Sequence, residues 1–221
     1  MSGRRWIIVL VLATLALGWW LSRPSERYPV PVAPAATTVP GIAATASGCP
    51  LPPRAARGAQ PLQSAPPPGM PAFPHDDAVL QPLAGFSVRA RVLGSERYRL
   101  DREAAFAPLD LALGWGRMAD DEVLAKLQIS QGGRWYRYRW QGEPPIPRGE
   151  IARSSANMHM MPADDAVAAA LARLGRDDRV RIDGWLVEVQ APNWRWRSSL
   201  TREDQGQGAC EVVYVCAVAL E

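Results

Sequence analysis

The chain has 221 residues, of which 25 are Lys or Arg and 22 are Asp or Glu, giving a formal net charge of +3. The positive excess lies before residue 84, because residues 84–221 carry 19 basic and 19 acidic side chains. A neutral domain lacks the clustered positive charge that binding to a phosphate backbone requires, which disfavours nucleic acid as a partner.

The first predicted element is the uncharged apolar run WIIVLVLATLALGWWL over residues 6–21. A helix of this length spans about 24 Å, slightly less than the ~30 Å hydrocarbon core of a bilayer. Arg4 and Arg5 precede the run and favour a cytoplasmic N-terminus over residues 1–5. We therefore predict an uncleaved signal anchor that crosses the inner, cytoplasmic membrane once, with the C-terminal domain in the periplasm. Cleavage as a signal peptide is the alternative.

Residues 22–83 are dominated by Pro, Ala, Gly, Ser and Gln, and 15 of the 21 prolines lie between Pro24 and Pro82. Such a composition buries too little apolar surface to offset the entropy lost on ordering the chain. It predicts a disordered linker that carries one folded extracytoplasmic domain, residues 84–221. These residues are sufficient in number for a domain with its own core.

Runs of apolar residues, three of them alternating with polar ones, predict four strands in this domain, over residues 86–93, 134–140, 179–190 and 211–220. In the third strand the apolar phase changes at Asp183–Gly184, which predicts a β-bulge and a bend. Two short helices are predicted, from Asp120 through Leu127 and from Ala163 to Leu174, with acidic residues at their positive ends. The fold class is therefore α+β and mainly β: a small bent sheet or an OB- or SH3-like barrel.

The three cysteines are Cys49, Cys210 and Cys216. Cys210 and Cys216 lie about 20 Å apart along one predicted strand, which is too far for a disulfide. Cys216 is therefore interpreted as a buried apolar residue, and Cys210 could pair with Cys49 or with a partner chain. The sequence has no CxxC motif and no Cys/His cluster, so neither a metal site nor a cofactor is predicted.

The segment SSANMHMMP contains His159, the one histidine of the predicted domain, and Ser155 four residues before it. Histidine titrates near neutral pH, which suits acid–base catalysis. An envelope hydrolase could use His159 with Ser155 and a carboxylate, although the sequence has no GxSxG elbow. A structural or ligand-contacting histidine is the simpler interpretation.

Other candidate ligand-binding residues are aromatic and polar side chains in predicted loops. Exposed tryptophans can stack on sugar rings and arginines can bind anions. With His159, the candidates are Trp115, Asn157, Trp194, Trp196, Arg197 and Arg202. The alternative is that the tryptophans pack in the core and the arginines are solvated.

Five segments follow one another through the domain: DLALGWGRMAD, RWYRYRW, SANMHMMPA, GWLVEV and WRWRSSLTREDQGQGACE. In this order they resemble an uncharacterised family of bacterial membrane-anchored proteins. The resemblance implies a common fold and no known activity.

The leading functional prediction is a membrane-tethered, non-catalytic domain that binds an envelope protein or glycan. It is based on the neutral domain, the long linker, the small number of acid–base residues and the loops rich in Trp, Arg and Gly. The hydrolase built on His159 and Ser155 is the first alternative, so enzymatic activity is disfavoured but stays open. A nucleic-acid-binding module that uses RWYRYRW and WRWR is the second.

Overall fold

The computed structural model describes residues 48–202 and 209–221. The predicted membrane helix at 6–21, the N-terminal residues 1–5 and the linker residues 22–47 lie outside the described residues. Within the described part of the chain, no helix is both long enough and apolar enough to cross a membrane.

The described chain is mainly β, as predicted, with short helices between the strands. Its strands are β1 (Leu62–Ser64), β2 (Phe73–His75), β3 (Ala78–Arg97), β4 (Leu109–Gly114), β5 (Gln128–Gly132), β6 (Trp135–Arg139), β7 (Ser155–Pro162), β8 (Arg179–Ala191), β9 (Trp194–Arg197) and β10 (Glu211–Leu220). Its α-helices are α1 (Asp121–Leu124), α2 (Arg148–Arg153) and α3 (Asp165–Arg173). All four predicted strands are present.

Five long strands form a closed ring of hydrogen-bonded neighbours in the order β3, β4, β7, β10 and β8, with β8 paired back to β3. Every pair in the ring is antiparallel except β7 with β10, which is parallel. Parallel neighbours require a crossover connection, and α3, β8 and β9 lie in the connection between β7 and β10. The interior of the ring is an apolar core that includes Phe86, Val88, Leu111, Met158, Ile182 and Val213.

β8 is buried on both faces, which corrects the β-bulge predicted within it at Asp183–Gly184. Its even-numbered apolar residues belong to the barrel core, and its odd-numbered ones belong to a second core outside the barrel. The two sets are Val180, Ile182 and Leu186, and Trp185, Val187 and Val189. A strand that is covered on both faces is apolar at odd and even positions alike, so the change of phase in the sequence does not mark a bulge in β8.

The register shifts lie instead in the two neighbours of β8. The pairing with β8 passes over Leu83 in β3 and over Cys216 in β10. Such bulges bend strands and allow a small barrel to close. Gly184 has a different role: a Cβ atom there would lie 2.1 Å from the carbonyl oxygen of Tyr214, so this position admits only glycine where β8 and β10 approach each other.

Residues 48–83 are ordered as part of the fold, which corrects both the predicted disorder of this stretch and the domain boundary at residue 84. β1 and β2 pair with β3, which itself begins at Ala78. Leu80 is fully buried, and the indole of Trp185 donates to the Pro50 carbonyl at 2.8 Å. The proline-rich stretch therefore gains its order by docking on the barrel, and it does not need a core of its own.

Cys49 and Cys216 form a disulfide with Cα atoms 5.5 Å apart. This corrects two expectations: Cys216 is not only a buried apolar residue, and Cys210 is not the partner of Cys49. The expectation that Cys210 and Cys216 do not pair with each other is confirmed, because Cys210 directly precedes β10 and Cys216 lies within it.

The helices differ in how well their boundaries were predicted. α3 matches the predicted helix closely, and the Asp164 side chain caps it by accepting a hydrogen bond from the Val167 amide at 2.7 Å. α1 is a single turn, and Asp120 makes no side-chain cap. α2 was not predicted. With α1, α2 and the separate β5–β6 sheet, the segment between β4 and β7 covers a third apolar cluster that includes Met118 and Ile151.

Candidate functional site

A buried polar network lies on the outer face of β4 and β7 and is centred on Asp110. Asp110 has no solvent-exposed surface. Its Oδ1 accepts a hydrogen bond from Arg134 at 2.8 Å and lies 2.9 Å from His159 Nδ1, and its Oδ2 accepts one from Asn157 at 3.0 Å. The antiparallel register places Asp110 directly opposite His159. Burying a carboxylate is costly unless it is paired and hydrogen-bonded, so these contacts account for the burial of Asp110.

Arg134 joins this network to the β5–β6 hairpin. Its guanidinium donates to Asp101 at 2.6 Å and to the Ala107 carbonyl at 2.8 Å, and it lies 3.9 Å from the centroid of the Tyr98 ring. The hydrogen bond from Arg134 lowers the pKa of Asp101. Arg134 therefore fastens the hairpin to the barrel.

Ser155 and His159 belong to different networks. Ser155 Oγ donates to the Ile151 carbonyl at 2.6 Å and shares a hydrogen bond with the hydroxyl of Tyr136. The two residues are four positions apart on β7, which corresponds to about 13 Å of extended strand. The structure therefore forms the His159–Asp110 contact of a catalytic relay but does not bring Ser155 within reach of His159.

The predicted tryptophans pack against cores. Trp115 is 1% exposed, lies in the barrel core and donates through its indole to Gln60 at 2.8 Å. Trp194 and Trp196 are half-buried and pack against the second core. The Trp196 ring lies 4.8 Å from the ring of His159.

The arginines of the β9 segment WRWR are paired with an acid. Arg197 donates to Glu188 at 2.9 Å, and Arg195 lies 3.9 Å from the same carboxylate. The hydrogen bond from Arg197, followed by that from Gln190, lowers the pKa of Glu188. β9 and β6 belong to different sheets, so the two Trp/Arg-rich segments do not form one continuous strand pair.

A cleft of about 190 Å³ lies between β6, the start of β7 and the residues just before β10. One wall is aromatic and consists of Trp135, Tyr136 and Tyr138. Its polar lining includes Ser155, Asn157, Arg202 and Glu211. Three residues selected from the sequence therefore meet here, namely Ser155, Asn157 and Arg202, whereas His159, Trp115, Trp194, Trp196 and Arg197 do not line the cleft.

An ion pair between Arg202 and Glu211 contributes to the cleft. The Arg202 guanidinium also lies 5.2 Å from the Trp115 ring centroid. The Glu211 side chain is 2% exposed, and its Oε1 is bonded to Arg202. Its Oε2 is buried and has no hydrogen-bond partner among residues 48–202 and 209–221. The cleft lining therefore includes a desolvated acceptor that no described residue satisfies.

The aromatic wall is uncharged at neutral pH. Burial raises the pKa of both Tyr136 and Tyr138 above the ordinary value for a phenol. The rings of Tyr136 and Tyr138 are 5.6 Å apart, and that of Trp140 follows 6.2 Å from Tyr138, outside the cleft lining. The wall thus offers neutral flat surfaces with polar edges.

The candidate site residues named from the sequence did not include the three aromatic residues of the wall, nor Glu211, Asp110 and Arg134, although RWYRYRW was considered as part of a nucleic-acid-binding module. The alternation in RWYRYRW places Tyr136 and Tyr138 on one face of the predicted strand, which is a usable signal for an aromatic surface. An acid within an otherwise apolar strand was another: Asp110 is flanked by leucines and Glu211 opens EVVYV. A charge at such a position requires a partner.

Within residues 48–202 and 209–221, no three His, Cys, Asp or Glu side chains are grouped so that they could hold a metal ion. No protein-family model, curated protein or solved structure matches the chain. The family resemblance noted from the sequence stays a prediction.

Proposed function

We propose that this protein is a non-catalytic domain, tethered to the inner membrane by a helix over residues 6–21, that binds an envelope protein or glycan in the cleft beside β6. One observation carries the proposal: the aromatic wall lines the same cleft as the ion pair between Arg202 and the buried Glu211. Ligand sites commonly combine apolar walls with a few placed polar groups.

The contacts of His159 and Ser155, the two residues that the hydrolase would use, support a binding role. His159 is held by Asp110, and Ser155 is held by Ile151 and Tyr136. Ser155 therefore helps to hold the β5–β6 hairpin, which forms the aromatic wall, and His159 pairs with the same Asp110 carboxylate that binds Arg134 of the hairpin turn. A nucleophile requires its base within hydrogen-bond reach, and this pair does not meet that condition.

We also propose that the barrel is of the OB type. Taken in chain order, its strands β3, β4, β7, β8 and β10 have the spatial order 1-2-3-5-4, with the third and fifth strands parallel and α3 between the third and fourth. OB barrels bind oligosaccharides and oligonucleotides near the second and third strands and the adjoining loops. The position of the cleft beside the third strand supports a ligand site, as an analogy of fold alone.

The proposed tether has a direct test. Intact full-length protein should sediment with membranes, resist high salt and be released by detergent, whereas a version without residues 1–47 should be soluble. The Cys49–Cys216 disulfide supports an oxidising compartment for the domain. Recovery of the intact full-length chain in the soluble fraction without detergent would contradict the tether.

The proposed binding role is tested by cross-linking in cells that produce the tagged full-length protein, followed by capture from envelope fractions. Tyr138→Ala should reduce recovery of the partner at least about ten-fold, the equivalent of ~1.4 kcal/mol. Trp140→Ala is the matched control, because Trp140 stacks on Tyr138 but does not line the cleft. Equal recovery from both variants and the wild type would remove the cleft as the binding site.

A further inference from the structure

Resting on the proposed binding role, we infer that the ligand of the cleft is a neutral saccharide. One sugar ring stacks on the wall of Trp135, Tyr136 and Tyr138, and a hydroxyl or amide N–H of the sugar donates a hydrogen bond to Glu211 Oε2. The inference depends on the size of the cleft, the unused acceptor and the local balance of charge.

The volume of the cleft restricts what can enter it. At about 190 Å³ it lies below the ~300 Å³ at which sites for drug-sized ligands begin. It can hold one ring or one side chain of a longer ligand, but not a partner helix. A pyranose suits such a site because its axial C–H face packs on an aromatic ring and its hydroxyls remain at the edge.

Glu211 favours a ligand that carries a hydrogen-bond donor. An ionised carboxylate only accepts hydrogen bonds, and Oε2 has no donor within the described residues. A buried acceptor without a partner is unfavourable, so a ligand that donates to it gains more than one that donates to a solvated group. Proline rings also stack on aromatic walls, but proline has no N–H to donate.

The ion pair between Arg202 and Glu211 disfavours charged ligands. Arg202 is bonded to Oε1 of Glu211, so the carboxylate is already neutralised. A cationic ligand that approached Oε2 would meet the Arg202 guanidinium, and an anionic ligand would meet the carboxylate itself. A neutral hydroxyl or amide can donate to Oε2 without breaking the ion pair, which favours an uncharged sugar.

The test titrates the purified full-length protein with neutral hexasaccharides and follows tryptophan fluorescence and the heat of binding. The probes are β-1,4-linked N-acetylglucosamine, β-1,4-glucan and α-1,4-glucan, with a proline-rich peptide and a polyuronic acid for comparison. At least one neutral saccharide should bind. Tyr138→Ala and Glu211→Gln should each weaken that binding at least ten-fold, and Trp140→Ala should not.

Glu211→Gln also has a readout that a loss of stability cannot imitate. It removes the negative charge beside Arg202, so affinity for the polyuronic acid should rise while affinity for the neutral sugar falls. Glu211→Asp keeps the charge but withdraws the acceptor, so it should weaken neutral binding without this gain. Circular dichroism shows whether each variant is folded.

The outcomes separate the inference from the proposed function. If no neutral saccharide binds, or if only the peptide or the polyuronic acid binds the wild type, the inference is overturned; capture of a protein partner sensitive to Tyr138→Ala would then leave the proposed function standing. If a saccharide binds but neither Tyr138→Ala nor Glu211→Gln affects it, the ligand lies elsewhere and both fail.

Discussion

Cys49 and Cys216 are joined across 167 residues of sequence, so the chain ahead of β1 is covalently attached to β10 of the barrel. Hydrogen bonds also hold the same segment. The Pro50 carbonyl accepts a hydrogen bond from the Trp185 indole, and the Ala55 amide donates to the Ser87 hydroxyl at 2.8 Å. Residues that look like a linker by composition are thereby part of the folded body.

Removal of the disulfide should lower the free energy of unfolding by about 2–5 kcal/mol, because a long loop of the unfolded chain is no longer closed. The double variant Cys49→Ala/Cys216→Ala, or the reduced wild type, should therefore unfold at a lower temperature in thermal melts. Cys210→Ala is the matched control and should retain the disulfide by mass spectrometry. Identical melting of the oxidised and reduced wild type would contradict the prediction.

A fragment of residues 48–221 should fold, whereas a fragment of residues 84–221 should not. The shorter fragment lacks β1, β2 and the first residues of β3, including the fully buried Leu80, and it lacks Cys49. Cooperative denaturant unfolding, followed by tryptophan fluorescence, distinguishes the two. A cooperative transition in the shorter fragment would restore the domain boundary predicted at residue 84.

His159→Ala should destabilise the protein by about 1–3 kcal/mol, because it removes a partner of the buried Asp110 carboxylate and a ring packed on Trp196. Arg137→Ala, an exposed change on β6, should stay within about 0.5 kcal/mol of the wild type. Urea denaturation measures both. A His159→Ala variant of unchanged stability that lost a hydrolytic activity would support the hydrolase instead.

Stability should fall as the pH decreases below about 6.5, because His75 is buried and its Nε2 has no hydrogen-bond partner in the part of the chain that the structure describes. Burial lowers the pKa of His75 despite the nearby charge of Asp76, so the unfolded chain binds the proton first and is favoured as the pH falls. One such group contributes at most about 1.4 kcal/mol per pH unit.

His75→Phe should abolish that decline and preserve the aromatic contacts with Phe106 and Tyr214. Asp101 and Glu188, whose pKa values are lowered, affect stability in a separate pH range. The stabilisation that their ionised carboxylates provide is lost only in acid, below about pH 4. Denaturant midpoints measured from pH 5 to pH 8 test the prediction. If the stability of His75→Phe fell by the same amount as the pH decreased, another group would be responsible for the decline.

Gly184→Ala should lower the free energy of unfolding by more than about 3 kcal/mol. The new Cβ would lie 2.1 Å from the Tyr214 carbonyl oxygen and would force β8 and β10 apart. Gly175→Ala is the control, since a Cβ there meets nothing within 4 Å. Thermal melts of the two variants provide the comparison. Similar melting temperatures would show that β8 and β10 separate easily at this point.

The candidate site was only partly accessible from the sequence. Ser155, Asn157 and Arg202 were selected because of their residue types, and they meet in the cleft. The aromatic wall was recognisable as an alternating strand, but its role as a wall depends on the hairpin folding back onto β7. That placement requires Arg134 to reach Asp110, 24 residues earlier in the chain.

Local order could be predicted from the residues alone. The alternation of FSVRARVL, the acidic residues at the start of α3 and the apolar run from Val212 depend on neighbours within a few positions, and they predicted strands and a helix that the structure contains. Three features depend on groups that are far apart in the chain. They are the pairing of β8 with β3, the disulfide of Cys49 with Cys216 and not with Cys210, and the docking of residues 48–83 on the barrel. Such contacts form only after long loops close. Their stabilisation comes from the burial of apolar surface, which cannot be predicted from the residues within a few positions of each group.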